Sequence, residues 1–123
     1  FRSGEDDTPP IVLYKYASTR SVDVAKEFLK GFKGYLMADG YTGYNKVQDI
    51  KRCCCFVHIR RYFFDAIPKG KNRDISCPAV QGVEYCDKLF AYERHFKEKG
   101  YSYKQIKNGR LKKEKPVIEA FLS

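Results

Sequence analysis

The sequence has no apolar run that approaches the ~20 residues of a membrane-spanning helix, and no secretory signal is visible at its start. It also has no internal repeat and no low-complexity tract. A membrane protein is therefore not expected. The 123 residues are enough for one domain with a core of its own, or for parts of two domains.

Acidic residues are also scarce. The chain has 15 Asp and Glu against 24 Lys and Arg, which gives a formal net charge of +9. This balance favours a polyanionic partner, and nucleic acid before an anionic membrane. The five cysteines are an odd number, and Cys53, Cys54 and Cys55 are adjacent. Such a cluster fits a reducing cytosol better than a secreted disulfide framework.

The first half of the chain predicts alternating strands and helices. Residues 11–16 are apolar and aromatic and predict a strand, and Ser21 is expected to cap a helix that stops near Gly31. The apolar run Gly34–Ala38 predicts a strand buried on both faces. A strand, a helix and a strand in this order favour a right-handed crossover.

The remainder predicts mostly helices. A strand over residues 50–57 is expected to be buried at its cysteines, and a polar loop is expected over residues 68–73. Helices are expected over residues 41–47, 58–67, 78–99, 103–110 and 116–122, the fourth of these following a stop at Gly100. Composition changes near residue 58 from strand-rich to helix-rich, so a domain boundary is predicted there.

One acid stands out by its position. Asp39 follows directly after the strand Gly34–Ala38 and is itself followed by Gly40. Ligand-binding and catalytic groups of open α/β sheets lie just beyond the carboxyl ends of buried strands. Asp-Gly is equally a common turn pair, so the residues alone leave both a metal-binding carboxylate and a plain turn open.

Two separate motifs carry a resemblance to a known family. Residues 35–45 (YLMADGYTGYN) and residues 55–63 (CFVHIRRYF) resemble the central part of bacterial transposases of the insertion-sequence sixty-six family. The resemblance implies a ribonuclease-H-like core with three catalytic acids, two Asp and one Glu, that hold Mg²⁺ or Mn²⁺. Asp39 matches the second Asp, which makes it the expected catalytic residue and metal ligand.

The other two acids are not expected within this chain. Asp6 and Asp7 lie in a loop of Gly and Pro, and the resemblance places the first catalytic Asp before Phe1 and the Glu beyond the helical part. We therefore expect an α/β internal fragment, with a partial ribonuclease-H-like core over residues 1–58 and a helical insertion over residues 59–123. Such a fragment is expected neither to bind metal tightly nor to cut DNA alone.

Four residues are expected to contact DNA. Arg60 and Arg61 lie inside the second motif, within a basic cluster over residues 50–73, and Arg20 is a further candidate. The resemblance suggests that His58 faces the DNA or the scissile phosphate. The alternatives for His58 are a helix cap, or half of a zinc site with Cys55 that Cys77, Cys86 or His95 would complete.

The predicted function is metal-dependent DNA cleavage and strand transfer of a mobile element, performed by the intact parent enzyme. The alternative is a non-catalytic DNA-binding module with a degenerate ribonuclease-H-like fold. The predicted partners are DNA and a second copy of the chain, since strand Gly34–Ala38 is expected to expose an unpaired edge. The predicted location is the bacterial cytoplasm, in association with the nucleoid.

Overall fold

The computed structural model describes residues 1–4 and 9–123, so Asp6 and Asp7 lie outside the described residues. Within these limits the structure mixes helices with a small sheet, and the α/β class is confirmed in that coarse sense; the ribonuclease-H-like core stays a prediction. The helices are α1 (Val22–Phe28), α2 (Phe56–Asp65), α3 (Pro78–Glu98), α4 (Tyr103–Gly109) and α5 (Lys115–Leu122), and the strands are β1 (Gly34–Ala38) and β2 (Ile50–Cys54).

The chain divides into two compact units, Phe1–Cys53 and Cys54–Ser123. The predicted domain boundary after His58 falls inside α2 and stays a prediction. No helix in the described ranges is long and apolar enough to cross a bilayer.

The start of α1 is confirmed. Ser21 has extended backbone angles, and its Oγ accepts a hydrogen bond from the N–H of Val24 at 3.4 Å, which satisfies one of the free donors of the first turn. Gly31, with φ of 82°, follows the helix in a conformation that costs glycine little. α1 buries Ala25, and Leu29 directly after it is also buried, which makes this face part of the core of the first unit.

β1 has the predicted limits but not the predicted burial. It pairs with β2 in a two-stranded sheet, and only Leu36 among its side chains is fully buried. Tyr35 and Met37 are 71% and 70% exposed. Successive side chains of a strand point to opposite faces, so the expectation of burial on both faces is wrong: the face that carries Leu36 is packed and the other is open.

The strand predicted over residues 11–16 is wrong. Only Val12 makes a β-bridge there, with Arg2, and the N–H of Leu13 donates to the carbonyl of Phe1 at 2.7 Å. All six side chains of the segment are exposed, with Tyr14 and Tyr16 at 91%. Apolar residues without a packed neighbour gain nothing from sheet formation, so the segment stays irregular. The predicted strand–helix–strand crossover does not form.

β2 ends earlier than predicted. It stops at Cys54, and α2 begins at Phe56 after Cys55, which occupies the N-cap position. Cys54 is exposed and the two neighbouring cysteines are only partly buried, so the prediction of cysteines buried in a strand is wrong. The short helix predicted over residues 41–47 is confirmed as a 3₁₀ helix, Thr42–Lys46.

In the second unit α2 and α3 pack as an antiparallel pair. Arg60 of α2 contacts Asp87 of α3, while Phe63, three residues later, lies against Gly82, so the two numberings run in opposite directions. The predicted long helix is confirmed as α3, and Gly100 follows it with φ of 62°. A side chain at position 82 would collide with the ring of Phe63, which explains a glycine in the middle of a helix.

The two helices predicted after Gly100 form one continuous rod. α4 and α5 are joined by a π-helical turn, Arg110–Glu114, and the rod runs back along α3: Gly109 lies beside Phe96, and Phe121 contacts Tyr85. Wider turns of this kind redirect side chains within a helix. Here the turn places Glu114 in the interior, where it is 8% exposed.

Glu114 is a buried acid with little compensation. Burial and the neighbouring charge of Glu93 raise its pKa to about 7, and its Oε1 has no hydrogen-bond partner within the described residues. Glu93 itself is paired with Arg110, whose Nε donates to Oε1 at 2.6 Å and whose Nη2 donates to Oε2 at 2.8 Å. That pairing lowers the pKa of Glu93. Unlike Glu93, Glu114 is therefore expected to hold a proton near neutral pH.

Stability should depend on pH through Glu114. Its folded pKa of about 7 lies above the ordinary value of 4.5, so the folded state binds more protons between these values and the free energy of unfolding falls as pH rises through that window. We expect Glu114→Gln to remove this slope and to stabilise the chain above pH 7 by about 3 kcal/mol, since each pKa unit corresponds to about 1.4 kcal/mol. Urea unfolding at a series of pH values measures it.

Glu119→Gln is the matched control, because Glu119 is an exposed acid of α5 that pairs with Lys115 across one helical turn. It should leave the slope unchanged. A Glu114→Gln variant that retained the full slope would contradict the assignment.

A candidate active site at Asp39

Asp39 lies directly after β1, and both of its carboxylate oxygens are engaged. Oδ1 accepts a hydrogen bond from the backbone N–H of Tyr41 at 3.1 Å, and Oδ2 accepts one from Nη2 of Arg20. The Asp39 side chain is 24% exposed, so the carboxylate is reachable but mostly enclosed. The structure thus brings two of the predicted site residues together, in the first unit.

Tyr41 holds both the backbone and the guanidinium of Arg20. The hydroxyl of Tyr41 donates a hydrogen bond to the backbone carbonyl of Arg20 at 2.8 Å, and the guanidinium lies over the Tyr41 ring, 4.6 Å from its centroid. The hydrogen bond to Asp39 raises the pKa of Arg20 above its ordinary value. A cation over an aromatic face gains attraction from the ring quadrupole. Tyr41 therefore positions the partner of Asp39 as well as Asp39 itself.

Arg52 braces the same turn from β2. Its Nη2 donates to the backbone carbonyl of Asp39 at 2.7 Å, and its Nη1 donates to Oδ1 of Asn45 in the 3₁₀ helix. Its Nε is buried, with no partner among the described residues. Sequence reasoning placed Arg52 only in the basic cluster. The available signal was a positively charged residue in the strand that follows the motif over residues 35–45. The sequence does not tell which backbone atom that residue contacts.

The described residues of this chain do not by themselves fit a metal centre. Asp39 is one carboxylate whose oxygens already accept from Tyr41 and Arg20, and the described residues contain no group of three or more His, Cys, Asp or Glu side chains placed to hold a cation. A single carboxylate holds Mg²⁺ weakly, because that ion binds through several oxygens. Any such centre needs further ligands from outside these residues.

The zinc alternative gains no support. Cys55 and His58 lie at the start of α2, whereas Cys77 lies at the start of α3. The antiparallel packing of these helices puts the two starts at opposite ends of the pair. Nδ1 of His58 is buried without a hydrogen-bond partner in the described part of the chain. The role of His58 toward DNA stays a prediction.

Arg60 and Arg61 differ in their surroundings. Nε and Nη2 of Arg60 donate to the two carboxylate oxygens of Asp87 at 2.6 Å and 3.0 Å, and these bonds raise the pKa of Arg60 and lower that of Asp87. Arg60 thus joins α2 to α3. Arg61 is exposed on the same helix. The contact of Arg60 and Arg61 with DNA stays a prediction. The charge of Arg60 is compensated by Asp87, so Arg61 is the more available of the two to a phosphate.

One of three comparisons with known proteins indicates a family. A family model described as the transposase IS66 family matches residues 1–123. Two proteins of Sinorhizobium fredii (strain NBRC 101917 / NGR234) are similar: uncharacterized protein y4qI, 32% identical over 76 residues and 54% of this chain, and uncharacterized protein y4jD, 26% identical over 126 residues and 95% of this chain. The chain spans 14% and 24% of their lengths. No solved structure matches.

Arg52→Ala should loosen the turn that carries Asp39. The change removes two hydrogen bonds donated by a charged group, so we expect the free energy of unfolding of the first unit to fall by about 2 kcal/mol. Hydrogen exchange at the amides of β1 and of Tyr41 measures it. Lys51→Ala is the control: Lys51 is exposed and lies over the Tyr35 ring, so its loss should cost less than about 1 kcal/mol. Equal effects of the two changes would contradict a bracing role.

Proposed function

The chain belongs to the IS66 family of transposases, and from this membership we propose that it is a piece of an enzyme that cuts the ends of a mobile DNA element and joins them to target DNA. The observation that carries the proposal is the position of Asp39, a single acid held at the end of β1 inside the motif over residues 35–45. In the longer protein this strand would belong to a ribonuclease-H-like core.

We assign Asp39 the role of catalytic carboxylate. Its backbone carbonyl is held by Arg52 and one carboxylate oxygen by the N–H of Tyr41, and catalytic groups need such rigid support to act in a defined geometry. The proposal requires further acids from the rest of the longer protein, because the described residues of this chain form no group of three or more His, Cys, Asp or Glu side chains that could hold a cation. Mg²⁺ or Mn²⁺, when bound by the complete set, would supply activation of the attacking oxygen and stabilisation of the leaving one.

DNA contact is proposed for four residues, Arg61, His58, Arg60 and Arg20. The net charge of +9 favours a polyanion, and Arg61 on α2 offers an exposed guanidinium that forms no ion pair with a carboxylate of the described residues. We assign phosphate contacts to Arg61 first, then to His58 and Arg60 on the same helix, and to Arg20 in the first unit. These contacts position the backbone of DNA and carry no sequence preference.

A non-catalytic DNA-binding module is the second candidate, and the ion pair between Arg20 and Asp39 is the observation in its favour. A carboxylate that is neutralised by an arginine can be a purely structural group. The longer protein distinguishes the two: Asp39→Asn there should abolish strand cleavage and leave DNA binding intact if the chain is part of an enzyme. A longer protein that binds DNA but cuts none even before the change would favour the module, and cleavage that survived the change would contradict the catalytic role of Asp39.

The chain should bind duplex DNA weakly and with a steep salt dependence. Each phosphate that a cation neutralises contributes about −0.9 to the slope of log affinity on log salt concentration. We expect Arg61→Ala to flatten that slope by about one unit. Arg60→Ala should flatten it less, because its charge is already paired with Asp87. Fluorescence anisotropy of labelled duplexes over a salt series measures the slope.

Asp87→Asn is the matched variant, since it releases the Arg60 guanidinium without removing it. The slope should then steepen by up to about one unit. Duplexes of two unrelated sequences should give the same affinities. Binding that ignored salt, or that Arg61→Ala left intact, would argue against this DNA surface.

Self-association is proposed for the open strand. In the described part of the chain β1 pairs with β2 alone, and Tyr35 and Met37 project from its exposed face. Exposed strands with apolar faces recruit a second chain. Light scattering at micromolar concentration should show a dimer or larger species that Met37→Lys disperses, while Leu122→Lys, at an exposed apolar position of α5, should not. A parent chain that stays monomeric would contradict the proposed self-association.

We place the protein in the bacterial cytoplasm, with the nucleoid as its site of action.

A further inference from the structure

The first unit contains a pocket of about 300 Å³, lined by the segment over residues 15–21, by α1 and by the 3₁₀ helix. We call it the Arg20 pocket. Its apolar lining includes Val24, Ala25 and Phe28 of α1. A volume of about 300 Å³ lies at the lower end of the range for pockets that bind small molecules. The Arg20 pocket therefore suits one small ligand, of the size of a single nucleotide.

Aromatic rings form part of the wall of the Arg20 pocket. Tyr44 lines it from the 3₁₀ helix, and its ring meets that of Tyr41 edge to face, with centroids 5.7 Å apart. An edge contact covers at most one face of the Tyr44 ring, and the side chain is partly exposed. Phe28 is held by stacking on Phe1, with centroids 4.5 Å apart. A flat ligand thus meets rings that are fixed in place, and every nucleic-acid base has a face that stacks on such rings.

The charged residues that line the pocket, within the described part of the chain, are both cations. They are Lys15 and Arg20. The carboxylates that pair with them, Glu27 and Asp39, lie outside the lining. A guanidinium carries five N–H donors, so the bond from Arg20 to Asp39 leaves other donors for a phosphate oxygen. Because exposed ion pairs are weak in water, both cations can share their charge with a phosphate.

The pocket thus combines ring faces for a base with cations for a phosphate, and the hydroxyls of Ser18 and Thr19 add further donors. We propose that the Arg20 pocket binds a single nucleotide whose base is unpaired, with the base against Tyr44 and the phosphate at Arg20. The nucleotide is either an unpaired one within a DNA strand or a free mononucleotide. This inference rests on the proposed function, which makes DNA the first source to expect.

The first arm of the test compares two DNA duplexes by fluorescence anisotropy. One carries a single bulged adenosine, and the other carries an abasic residue at the same place, so the two have equal numbers of phosphates. We expect the duplex with the bulged adenosine to bind about tenfold more tightly, because its base can stack in the pocket. Tyr44→Leu should abolish this difference, and Tyr44→Phe, which keeps the ring, should retain it.

Tyr16→Leu is the matched control. Tyr16 is 91% exposed and follows Lys15 in the sequence, but it does not line the pocket, so this variant should keep the tenfold difference. Survival of the difference in Tyr44→Leu, or its loss in Tyr16→Leu, would overturn the assignment of the base to the Arg20 pocket.

The second arm uses the parent chain alone, so its result does not depend on whether a variant folds. NMR follows the amide signals of Ser18, Thr19 and Val24 while deoxyadenosine monophosphate, deoxyadenosine or deoxyribose 5-phosphate is added. The monophosphate should shift these signals at about tenfold lower concentration than the other two, because each of those lacks the base or the phosphate. Equal shifts with deoxyribose 5-phosphate would overturn the role of the rings, and equal shifts with deoxyadenosine would overturn the role of the cations.

The two arms together distinguish the sources of the nucleotide. A preference for the bulged adenosine assigns the pocket to an unpaired nucleotide of DNA, and a response to the monophosphate without that preference assigns it to a free mononucleotide. If neither appears while Arg61→Ala still flattens the salt slope, the nucleotide site is overturned and the proposed DNA contact stands. If no DNA binds and the monophosphate shifts no signal, the nucleotide site and the proposed DNA contact fail together.

Discussion

The pairing of an arginine with a carboxylate is the interaction on which both units depend. The chain has few acids, and within the described residues three of them accept hydrogen bonds from guanidinium groups far away in the sequence. Each pair ties two separate stretches of backbone to each other. The pairs are Arg20–Asp39, Arg60–Asp87 and Arg110–Glu93. Each is at least partly exposed, so each contributes little free energy by itself, and its main effect is to select one geometry for the segments it joins.

The two units rely on these pairs to different degrees. The second unit has a core of its own, in which Phe96 and Cys86 are fully buried and the rod from α4 to α5 returns along α3. In the described part of the first unit, the buried apolar side chains are Ala25, Leu29 and Leu36. Burial of so little apolar area stabilises weakly. Polar contacts around Asp39 therefore decide much of the local structure in the first unit, which is where the candidate site lies.

Because the first unit buries little apolar area, polar contacts also shape the candidate site. Asp39 is held by Arg52 through its backbone and by Tyr41 and Arg20 through its carboxylate. The charge of a carboxylate held in this way is already compensated, so a further ligand gains less free energy from binding to it.

Short-range patterns were sufficient for much of the fold. The Ser21 cap, the limits of β1, the length of α3 and its end at Gly100 all follow from residues within about one helical turn or one strand of each other. The same local reading placed Asp39 at the end of a strand and the family motifs around it. The strand expected over residues 11–16 failed, because an apolar run forms a strand only where another segment packs against it.

What the sequence by itself determined is most of the helices, the limits of β1, the family and the position of Asp39. Tertiary structure alone decided the partner of Asp39, the bracing by Arg52, the open face of β1 and the burial of Glu114. The physical reason is distance along the chain: Arg20 and Asp39 are 19 positions apart, Arg60 and Asp87 are 27, and Arg110 and Glu93 are 17. A guanidinium at such a separation can meet any of several acids, and only the packing of the elements between them selects which one it meets.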